Sequence, residues 1–444
     1  MAFILEGSVP AMQVESDLFS VPATLADFVR TEEERILPTS GQTEEISSGE
    51  ISFHIPPSTS ALLVLTEITL EMDIAIKKQI AGLGAATHIE NTDLVAPVNL
   101  IAHSIFSSVE VTMANRLITN STPLYAYRAY LENLLGYTPA ALKSQATSAG
   151  FYIDTPGYLE DHANNAGEVT RKAMFVTNEY VPFSAKLCTD IFQQGKNLIT
   201  GVPLHVRLIL NKPEFYLRSY ANLPVDTFKA YIRNPRLYVK RFVPNPAYLS
   251  ALTAQLSTKT VKYPIERVCM RVNDIGMIQS TVLANLHIGA VPKCVFVGFV
   301  KSSSFHGLRR GNPFNFEHFN LNYISVEVDG QSYPAQAYRP NFATGDYLQS
   351  YDGLLETLGR LHAPDGALPF DRKAFAEGFA IWGFDLTPSR TGRGPMSTVR
   401  QGNLSIRLQF AAQLTEPIMA ITMMVWDNII EVNSHRQLIA DFTA

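Results

Sequence analysis

Three acidic residues, Asp371, Glu377 and Asp385, form an acidic cluster next to a long predicted loop, and they are the best candidates for catalysis. Paired carboxylates about 5 to 9 Å apart cleave glycosidic bonds, one as the acid and the other as base or nucleophile. The cluster keeps open the hypothesis of a glycan-binding or glycan-cleaving β-sandwich protein. Other common catalytic patterns are absent: the sequence has no G-x-S-x-G, no Walker-type phosphate loop, no H-E-x-x-H and no calcium loop.

The histidines and cysteines lack the spacing of a metal site. The ten histidines are dispersed; His103 precedes an apolar run and His318 lies in an aromatic segment, so both are predicted to be core or interface side chains. The three cysteines, Cys188, Cys269 and Cys294, are too few and too scattered for a disulfide framework or a zinc site. They are predicted to be small buried side chains in a reducing compartment. We therefore assign no catalytic, cofactor-binding or metal-binding residue.

Basic residues gather only in small local clusters. These are Lys240-Arg241, Arg309-Arg310, and Arg390 with Arg393 beside the turn Gly392-Arg393-Gly394. A net charge of −5 argues against a protein whose main task is to bind phosphate groups, because such binding needs a surface dense in Lys and Arg. We interpret the clusters as solvated patches or as ion-pair partners between subunits. The aromatic segment 312–319 (NPFNFEHF) is interpreted as a loop folded onto a barrel core, since its surroundings are not basic enough for base stacking.

The second half of the chain repeats, in order, the sequence signals of the first half. The paired segments are the SVEV strands 108–111 and 325–328, the Tyr/Leu helical segments 125–136 and 347–359, and the L-x-[VI]-R-L strands 204–208 and 404–408. Members of each pair lie roughly 200 to 220 residues apart. One matching tetrapeptide means little, but matches in the same order indicate that one β-rich unit was duplicated.

Alternating apolar residues predict half-buried antiparallel strands in both units. Each SVEV strand is followed by a hairpin turn, Ala114-Asn115 in the first unit and Asp329-Gly330 in the second. Residues 246–256 are predicted to be a short helix that connects the units, and residues 261–272 to be the first strand of the second. Long polar connections, expected to cover barrel ends and touch neighbouring subunits, are 138–186, 211–230, 302–315 and 363–373.

Length and composition favour two large cores and burial between subunits. A chain of 444 residues exceeds the size at which one core keeps growing, which favours two domains. Its 46% hydrophobic and 17% charged residues indicate that much apolar surface is buried against other copies. The N-terminus lacks the pattern of a signal peptide, and no window reaches 18 consecutive apolar residues, so no transmembrane segment is expected.

Taken in order, these segments resemble the double jelly-roll major capsid proteins of icosahedral double-stranded DNA viruses and of related virus-like (Maverick/Polinton-type) elements. Three stretches carry most of the resemblance. They are 98–118 (VNLIAHSIFSSVEVTMANRLI) with the helix 125–137, 235–256 running into 262–267 (KYPIER), and 378–410, in which GFAIWGFDLTPSRTG leads into GNLSIRLQF. The last is the most specific, because a similar F-x-L-x-P element in that family precedes a polar loop and the closing strands of the second jelly roll.

The resemblance implies an all-β fold of two tandem antiparallel eight-stranded jelly rolls with short helices in the connecting loops. The implied division is an N-terminal arm (1–44), a first roll (45–245), a connecting helix or linker (246–260) and a second roll with a C-terminal strand (261–444). Residues 1–44 are expected to be an arm or short helix outside the main fold.

The function implied by the resemblance is that of a non-enzymatic structural capsid protein. It would form homotrimers with a pseudo-hexameric outline that tile an icosahedral shell around a DNA genome, assembled inside the host cell and located in the virion. Implied partners are other copies of the chain and minor capsid or penton proteins, without sequence-specific nucleic-acid binding and without a cofactor. The alternatives are a minor vertex or spike protein of a virion, and the glycan-directed β-sandwich protein described above.

Overall fold

The described part of the chain forms four large antiparallel sheets, two in each half. The computed structural model describes residues 16–19, 21, 25–39, 45–79, 86–220, 227–388 and 396–440. The strands of the first half are β1 (Phe28–Ile36), β2 (Glu50–Ile55), β3 (Leu62–Lys78), β4 (Thr87–His88), β5 (Val95–Pro97), β6 (Phe106–Met113), β7 (Arg116–Leu117), β8 (Val181–Lys186), β9 (Leu204–Leu210), β10 (Leu217–Ser219) and β11 (Phe228–Pro244). Those of the second half are β12 (Val261–Ile275), β13 (Ser280–Ala290), β14 (Cys294–Lys301), β15 (Leu321–Val328), β16 (Gln331–Tyr338), β17 (Ile381–Asp385), β18 (Gln401–Phe410), β19 (Ile418–Val432) and β20 (Leu438–Ala440).

Short helices occupy the connections between strands. They are α1 (Ile101–Ser104), α2 (Tyr125–Gly136), α3 (Pro139–Lys143), α4 (Ala166–Thr177), α5 (Asp190–Gln193), α6 (Pro213–Tyr216), α7 (Pro246–Leu256), α8 (Ser302–Phe305), α9 (Leu348–Thr357) and α10 (Arg372–Ala376), with one 3-10 helix, Gln145–Ala149. The predicted connecting helix is confirmed as α7; Asn245 caps it by accepting the Ala247 N–H at 3.1 Å. The connection 138–186, predicted to be irregular, instead contains α3, the 3-10 helix, α4 and β8, while 211–230 lies partly outside the described residues.

The two halves share one strand order. In the first half, one sheet runs β1-β11-β3 with β8 on the far side of β3, and the other runs β2-β9-β6-β7. In the second half, the corresponding sheets run β12-β19-β14-β17 and β13-β18-β15-β16. Each half is therefore an eight-stranded antiparallel jelly roll, so the predicted double jelly-roll fold is confirmed.

The duplicated sequence signals fall on equivalent strands. SVEV lies in β6 and in β15, and the L-x-[VI]-R-L segments lie in β9 and β18. Both copies keep an ion pair between these strands: Arg207 Nη1 is 3.2 Å from Glu110 Oε2, and Arg407 Nε is 3.1 Å from Glu327 Oε1. The register differs by two residues, since Glu110 lies directly opposite Arg207 whereas Ser325 lies opposite Arg407.

The predicted hairpin turns both have left-handed backbone at their two central residues. Asp329 and Gly330 have φ of 49° and 82°, and Ala114 and Asn115 have φ of 48° and 64°. Asparagine, aspartate and glycine tolerate this conformation, whereas alanine is strained in it. The first turn therefore carries a residue that its conformation does not favour.

Replacing Ala114 by asparagine is expected to raise the free energy of unfolding by up to about 1 kcal/mol, because asparagine relieves the left-handed strain. Urea unfolding of the two proteins measures the difference. The matched exchange in the second turn, Asp329→Ala, should lower stability, since it introduces the same strain and removes the acceptor of the Asn403 N–H at 2.9 Å. An unchanged or lower stability of Ala114→Asn would contradict the explanation.

The predicted N-terminal arm differs from the structure over residues 28–36. These residues form β1, the edge strand that pairs with β11 in the first roll, and not a helix or a segment outside the fold. In this pairing, Glu33 lies opposite Lys240 and Glu32 opposite Arg241. The acidic run therefore complements the basic cluster of β11, a cross-strand match that sequence periodicity alone does not reveal.

Candidate functional site

The three carboxylates of the acidic cluster proposed from sequence each interact with a residue nearby in the chain. Asp371 caps α10 by accepting the Ala374 N–H at 2.8 Å, and Asp385 accepts the Thr387 N–H at 2.8 Å. Glu377 lies 3.6 Å from Lys373 Nζ, one helical turn away. Each carboxylate thus has a structural partner close in sequence, and the glycan hypothesis gains no support from these residues.

The histidines singled out in the sequence pack in the protein. His103 is 2% exposed and its Nδ1 is 2.9 Å from the Tyr125 hydroxyl, and burial lowers its pKa to about 4. The His318 ring stacks on Phe342 with 3.9 Å between centroids, and burial lowers its pKa as well. The predicted packing roles of both residues are confirmed.

The cysteines also lie in packed surroundings. Cys188 is buried beside Asn133, and Cys269 and Cys294 are half-buried. Burial raises the pKa of all three thiols, which keeps them in the protonated, unreactive form. Within the described ranges, no group of three or more His, Cys, Asp and Glu side chains could hold a metal ion.

The burial of His103 predicts a loss of stability in acid. Its pKa is lower in the folded protein than its usual value of 6.5, so the unfolded chain binds the proton more tightly. The corresponding stability is complete above about pH 6.5 and is lost as the pH falls towards about 4, by up to about 3 kcal/mol. We expect His103→Gln to flatten the pH dependence of the unfolding free energy over this window, as measured by urea unfolding.

Comparison at neutral pH separates the two effects of this substitution. The offset between the proteins near pH 7 reports lost packing, whereas the difference in slope below about pH 6.5 reports the titration of His103. Parallel curves for the two proteins would show that His103 does not contribute to the acid sensitivity.

A contact surface with a buried apolar centre joins the two rolls, and we call it the junction. It consists of the outer face of the sheet β12-β19-β14-β17, the helices α2 and α5 of the first roll, and the segment 312–319 between them. Five outward side chains at the centre of this sheet are almost fully buried, at 4–6% exposure: Val268, Met270, Phe296, Met423 and Val425. Since the same sheet also faces the core of its own roll, β19 is apolar along most of its length.

Aromatic rings fill the centre of the junction. Phe314 of the second roll stacks on Tyr130 of α2 with 4.3 Å between centroids, and it meets Tyr127 edge-on at 5.6 Å. Phe316 lies against the backbone of Gly298 in β14, where an added Cβ would come within 2.4 Å of its ring. The aromatic segment does fold onto a protein core, as predicted, but that core is shared with the first roll.

Charged side chains of the first roll are buried at one end of the junction, where polar groups of the second roll bind them. Arg171 Nη2 is 2.7 Å from Asp154 Oδ1, and both side chains are at most 1% exposed. Arg218 pairs with Glu168, which is also 2.7 Å from His162 Nδ1. The second roll completes this network: the Asn312 amide donates to Asp154 Oδ2 at 3.3 Å, and the Arg310 carbonyl accepts from Arg218 Nη2 at 2.9 Å.

A second set of polar contacts between the rolls lies at the edge strand β12, where side chains of the first roll bind its backbone. Asp190 of α5 accepts the Val268 N–H at 3.3 Å and is 2.6 Å from Arg128 Nη2 of α2. The Asn120 amide donates to the Val268 carbonyl at 3.4 Å. These bonds cover part of the outer edge of β12, which would otherwise expose backbone groups able to pair with another strand.

An open cavity of about 580 Å³ lies within the junction. Leu131 and Leu135 of α2 face Phe296 and Met423 of the second roll across it. Charged side chains from both rolls, Glu132 and Lys293 among them, stand around the same space. The surfaces of the rolls are thus held by the aromatic centre and the polar contacts without being packed throughout.

Sequence reasoning did not identify the buried ion pairs. Glu168 and Arg171 stand three residues apart on α4, a spacing that normally indicates a solvated helix face. Only the fold shows that this face of α4 is buried. Among the basic clusters, Arg241 Nε is 3.2 Å from Glu34 and Lys240 Nζ is 3.7 Å from Glu67, so these ion pairs are within the chain. Arg390, Arg393 and the turn 392–394 lie outside the described residues.

The strand order and the junction together define a double jelly-roll protein. No helix in the described ranges combines the length and the apolar character needed to cross a bilayer. No protein-family model matches the chain. In sequence, it is 27% identical over 358 residues to an uncharacterized protein of Caenorhabditis elegans, covering 78% of this chain and 82% of that protein.

Solved virus structures share the fold over nearly the whole chain. A chain in the cryo-EM structure of the Sputnik virophage matches with a TM-score of 0.67 at 12% identity, covering 98% of this chain and 93% of that chain. The Faustovirus major capsid protein matches with 0.55 at 9% identity (93% and 92% covered). The mavirus major capsid protein matches with 0.53 at 13% identity (100% and 97% covered). The fold of this protein is therefore the double jelly roll that is found in viral major capsid proteins.

Proposed function

We propose that this protein is a structural, non-enzymatic major capsid protein of a DNA virus or virus-like element. Its chains would form homotrimers with a pseudo-hexameric outline, and these capsomers would tile an icosahedral shell enclosing a DNA genome. The observation that carries the proposal is the presence of two jelly rolls with one strand order, joined by a buried apolar junction. The full-length fold likeness to viral major capsid proteins supports the same assignment.

The physical basis of this function is a rigid block with few exposed sheet edges. Jelly rolls bury most of their edges, so such blocks can pack side by side without uncontrolled strand pairing. Three copies of a two-roll chain present six similar units, which suit a hexagonal lattice. We propose minor capsid or penton proteins as further partners, no sequence-specific contact with the genome, and location in the virion.

The proposed domains follow the sheets. We propose that the first roll starts at β1, ahead of the predicted bound of 45, that α7 within 246–260 is the linker, and that 261–444 contains the second roll. Limited proteolysis tests this division, because cleavage should concentrate outside the paired strands.

Light scattering coupled to size-exclusion chromatography tests the assembly. We expect a mass of three chains of 49.2 kDa each, and negative-stain images should show particles with a hexagonal outline. A protein that remains strictly monomeric at micromolar concentration, and that assembles under no condition, would contradict the proposal. A copy number far below that of the dominant protein in purified particles would instead indicate a vertex or spike component.

A further inference from the structure

The open cavity of the junction has apolar walls from both rolls. On one side, Leu131 and Leu135 of α2 line it, and each of them is 2% exposed. On the other side, the outer face of the sheet β12-β19-β14-β17 lines it with four apolar side chains: Val268, Phe296, Met423 and Val425. Water interacts weakly with such walls, so a space of about 580 Å³ between them favours an apolar guest. Small-molecule sites in proteins have similar volumes, roughly 300 to 1,000 Å³.

Other contacts of the junction hold the two walls of the cavity apart. Phe314 of the second roll stacks on Tyr130 of α2, the helix that forms the first wall, with 4.3 Å between centroids. Asp190 of α5 accepts the Val268 N–H at 3.3 Å, which fixes the edge of the opposing sheet. These contacts set the spacing of the rolls without using the apolar side chains of the walls, which therefore stay available to a ligand.

Charged side chains of four described residues also line the cavity: Glu132, Lys186, Glu266 and Lys293. Three of them have a partner of opposite charge. Arg128 Nε is 2.7 Å from Glu132, and Lys293 forms an ion pair with Glu266. Lys186, the last residue of β8, is exposed, and no carboxylate in the described ranges pairs with it. Among these four side chains, the charge that is still available to a ligand is therefore positive.

We propose that this cavity binds a linear fatty acid. The hydrocarbon chain lies between α2 and the sheet of the second roll, and the carboxylate forms an ion pair with Lys186. The flexible side chain of Met423 suits such a site, since methionine adapts to ligands of irregular shape. Both walls belong to one chain, so the site goes beyond the proposed capsid function and does not depend on it. A ligand that contacts both rolls binds only the folded junction and therefore stabilises it.

A series of fatty acids of increasing length tests the apolar part of the site. Isothermal titration calorimetry of the full chain uses hexanoate, octanoate, decanoate and dodecanoate, each below the concentration at which it forms micelles. We expect one site per chain and an affinity that rises about fourfold for each added CH₂ group until the chain fills the cavity. Dodecanoate should also raise the midpoint of thermal unfolding. An absence of binding, or an affinity that does not change with chain length, would overturn the site.

Reversing the charge of Lys186 tests the head group. Lys186→Glu should weaken the binding of dodecanoate by about fivefold or more, because it replaces an ion pair with a contact between like charges. The same substitution should leave the binding of uncharged dodecanol unchanged. The matched control is Lys259→Glu, which reverses an exposed charge between α7 and β12, outside the cavity, and should not change the affinity for dodecanoate.

Filling the cavity with a larger side chain tests where the ligand binds. Val425→Phe adds a ring to the wall formed by the second roll and should weaken the binding of dodecanoate by roughly tenfold or more, because the ring takes the space of several CH₂ groups. Val282→Phe is the control, since Val282 is 48% exposed on β13 and does not line the cavity. Circular dichroism verifies that both variants fold. If Val425→Phe does not fold, the chain-length series and Lys186→Glu still decide.

The possible outcomes separate the ligand site from the assembly. A folded Val425→Phe that binds dodecanoate as tightly as the natural sequence would show that the ligand lies elsewhere, and would overturn the site. Equal weakening by Lys186→Glu and Lys259→Glu, or tighter binding of dodecylammonium than of dodecanoate, would overturn the assignment of the carboxylate to Lys186. None of these results changes the mass measured by light scattering, which tests the proposed capsid function separately.

Discussion

Replacing Arg171 by leucine should lower the free energy of unfolding by about 3 to 5 kcal/mol, because it leaves the Asp154 carboxylate buried without its counter-charge. Both side chains are almost inaccessible to water, and the pair is 2.7 Å apart. Arg171 also donates to the carbonyl oxygens of Pro97 at 3.0 Å and Tyr152 at 2.6 Å, which would lose their donor. Urea unfolding followed by circular dichroism measures the loss.

A matched exposed arginine isolates the effect of burial. Arg207 bridges Glu50 and Glu110, but its side chain is 48% exposed, so Arg207→Leu should cost less than about 1 kcal/mol. The double variant Arg171→Leu with Asp154→Leu removes both buried charges and should recover part of the loss. A cost for Arg171→Leu as small as that of Arg207→Leu would contradict the expected penalty for leaving the Asp154 carboxylate buried without its counter-charge.

Truncating Phe314 to alanine is the second large effect, with an expected loss of about 3 to 5 kcal/mol. Phe314 is fully buried and contacts the rings of Tyr130, Tyr127 and Phe215 in the first roll. The cavity that it leaves lies between the rolls, so the loss should fall mainly on their coupling. We expect calorimetry to resolve two unfolding transitions in Phe314→Ala where the natural sequence shows one.

The equivalent truncation inside one roll is the control. Phe53→Ala removes a ring of the same size from β2, where Phe53 is 1% exposed and belongs to the core of the first roll. It should destabilise that roll by a similar amount without weakening the contact between rolls in the same way. If Phe314→Ala unfolds in a single transition at an unchanged midpoint, the aromatic centre does not couple the rolls.

Much of the fold could be predicted from the sequence, because local periodicity identifies many of the strands and the same order of signals occurs in both halves. Alternating apolar residues identified β2, β6, β9, β15 and β18, and the spacing of Tyr and Leu identified α2 and α9. The order of these signals in the two halves then favoured two like units. The strand β1 was missed because only its partner β11, nearly 200 residues later, makes a run of glutamates favourable in a strand.

The functional surfaces were much harder to predict. Phe314 and Tyr130 are far apart in sequence, and neither carries a local sign that it stacks on the other. Arg171 and Glu168 have the spacing of a solvated helix face, yet both are buried. Contacts between domains depend on how whole sheets are oriented, and local residue patterns do not encode that orientation. The resemblance to capsid proteins supplied the arrangement of the rolls but not the residues that join them.

The pairing of β1 with β11 sets the order in which the chain can fold during synthesis. The first strand of each roll pairs with a strand that is synthesised much later. Ile36 pairs with Leu237 in the first roll, and Val268 pairs with Val425 in the second. Such long loop closures are slow, and they leave strand edges open until the late partner emerges from the ribosome. The first roll is complete at residue 244, just before α7, so it can close while the second roll is still being translated. The newly made α2 then offers an apolar surface on which the second roll can assemble.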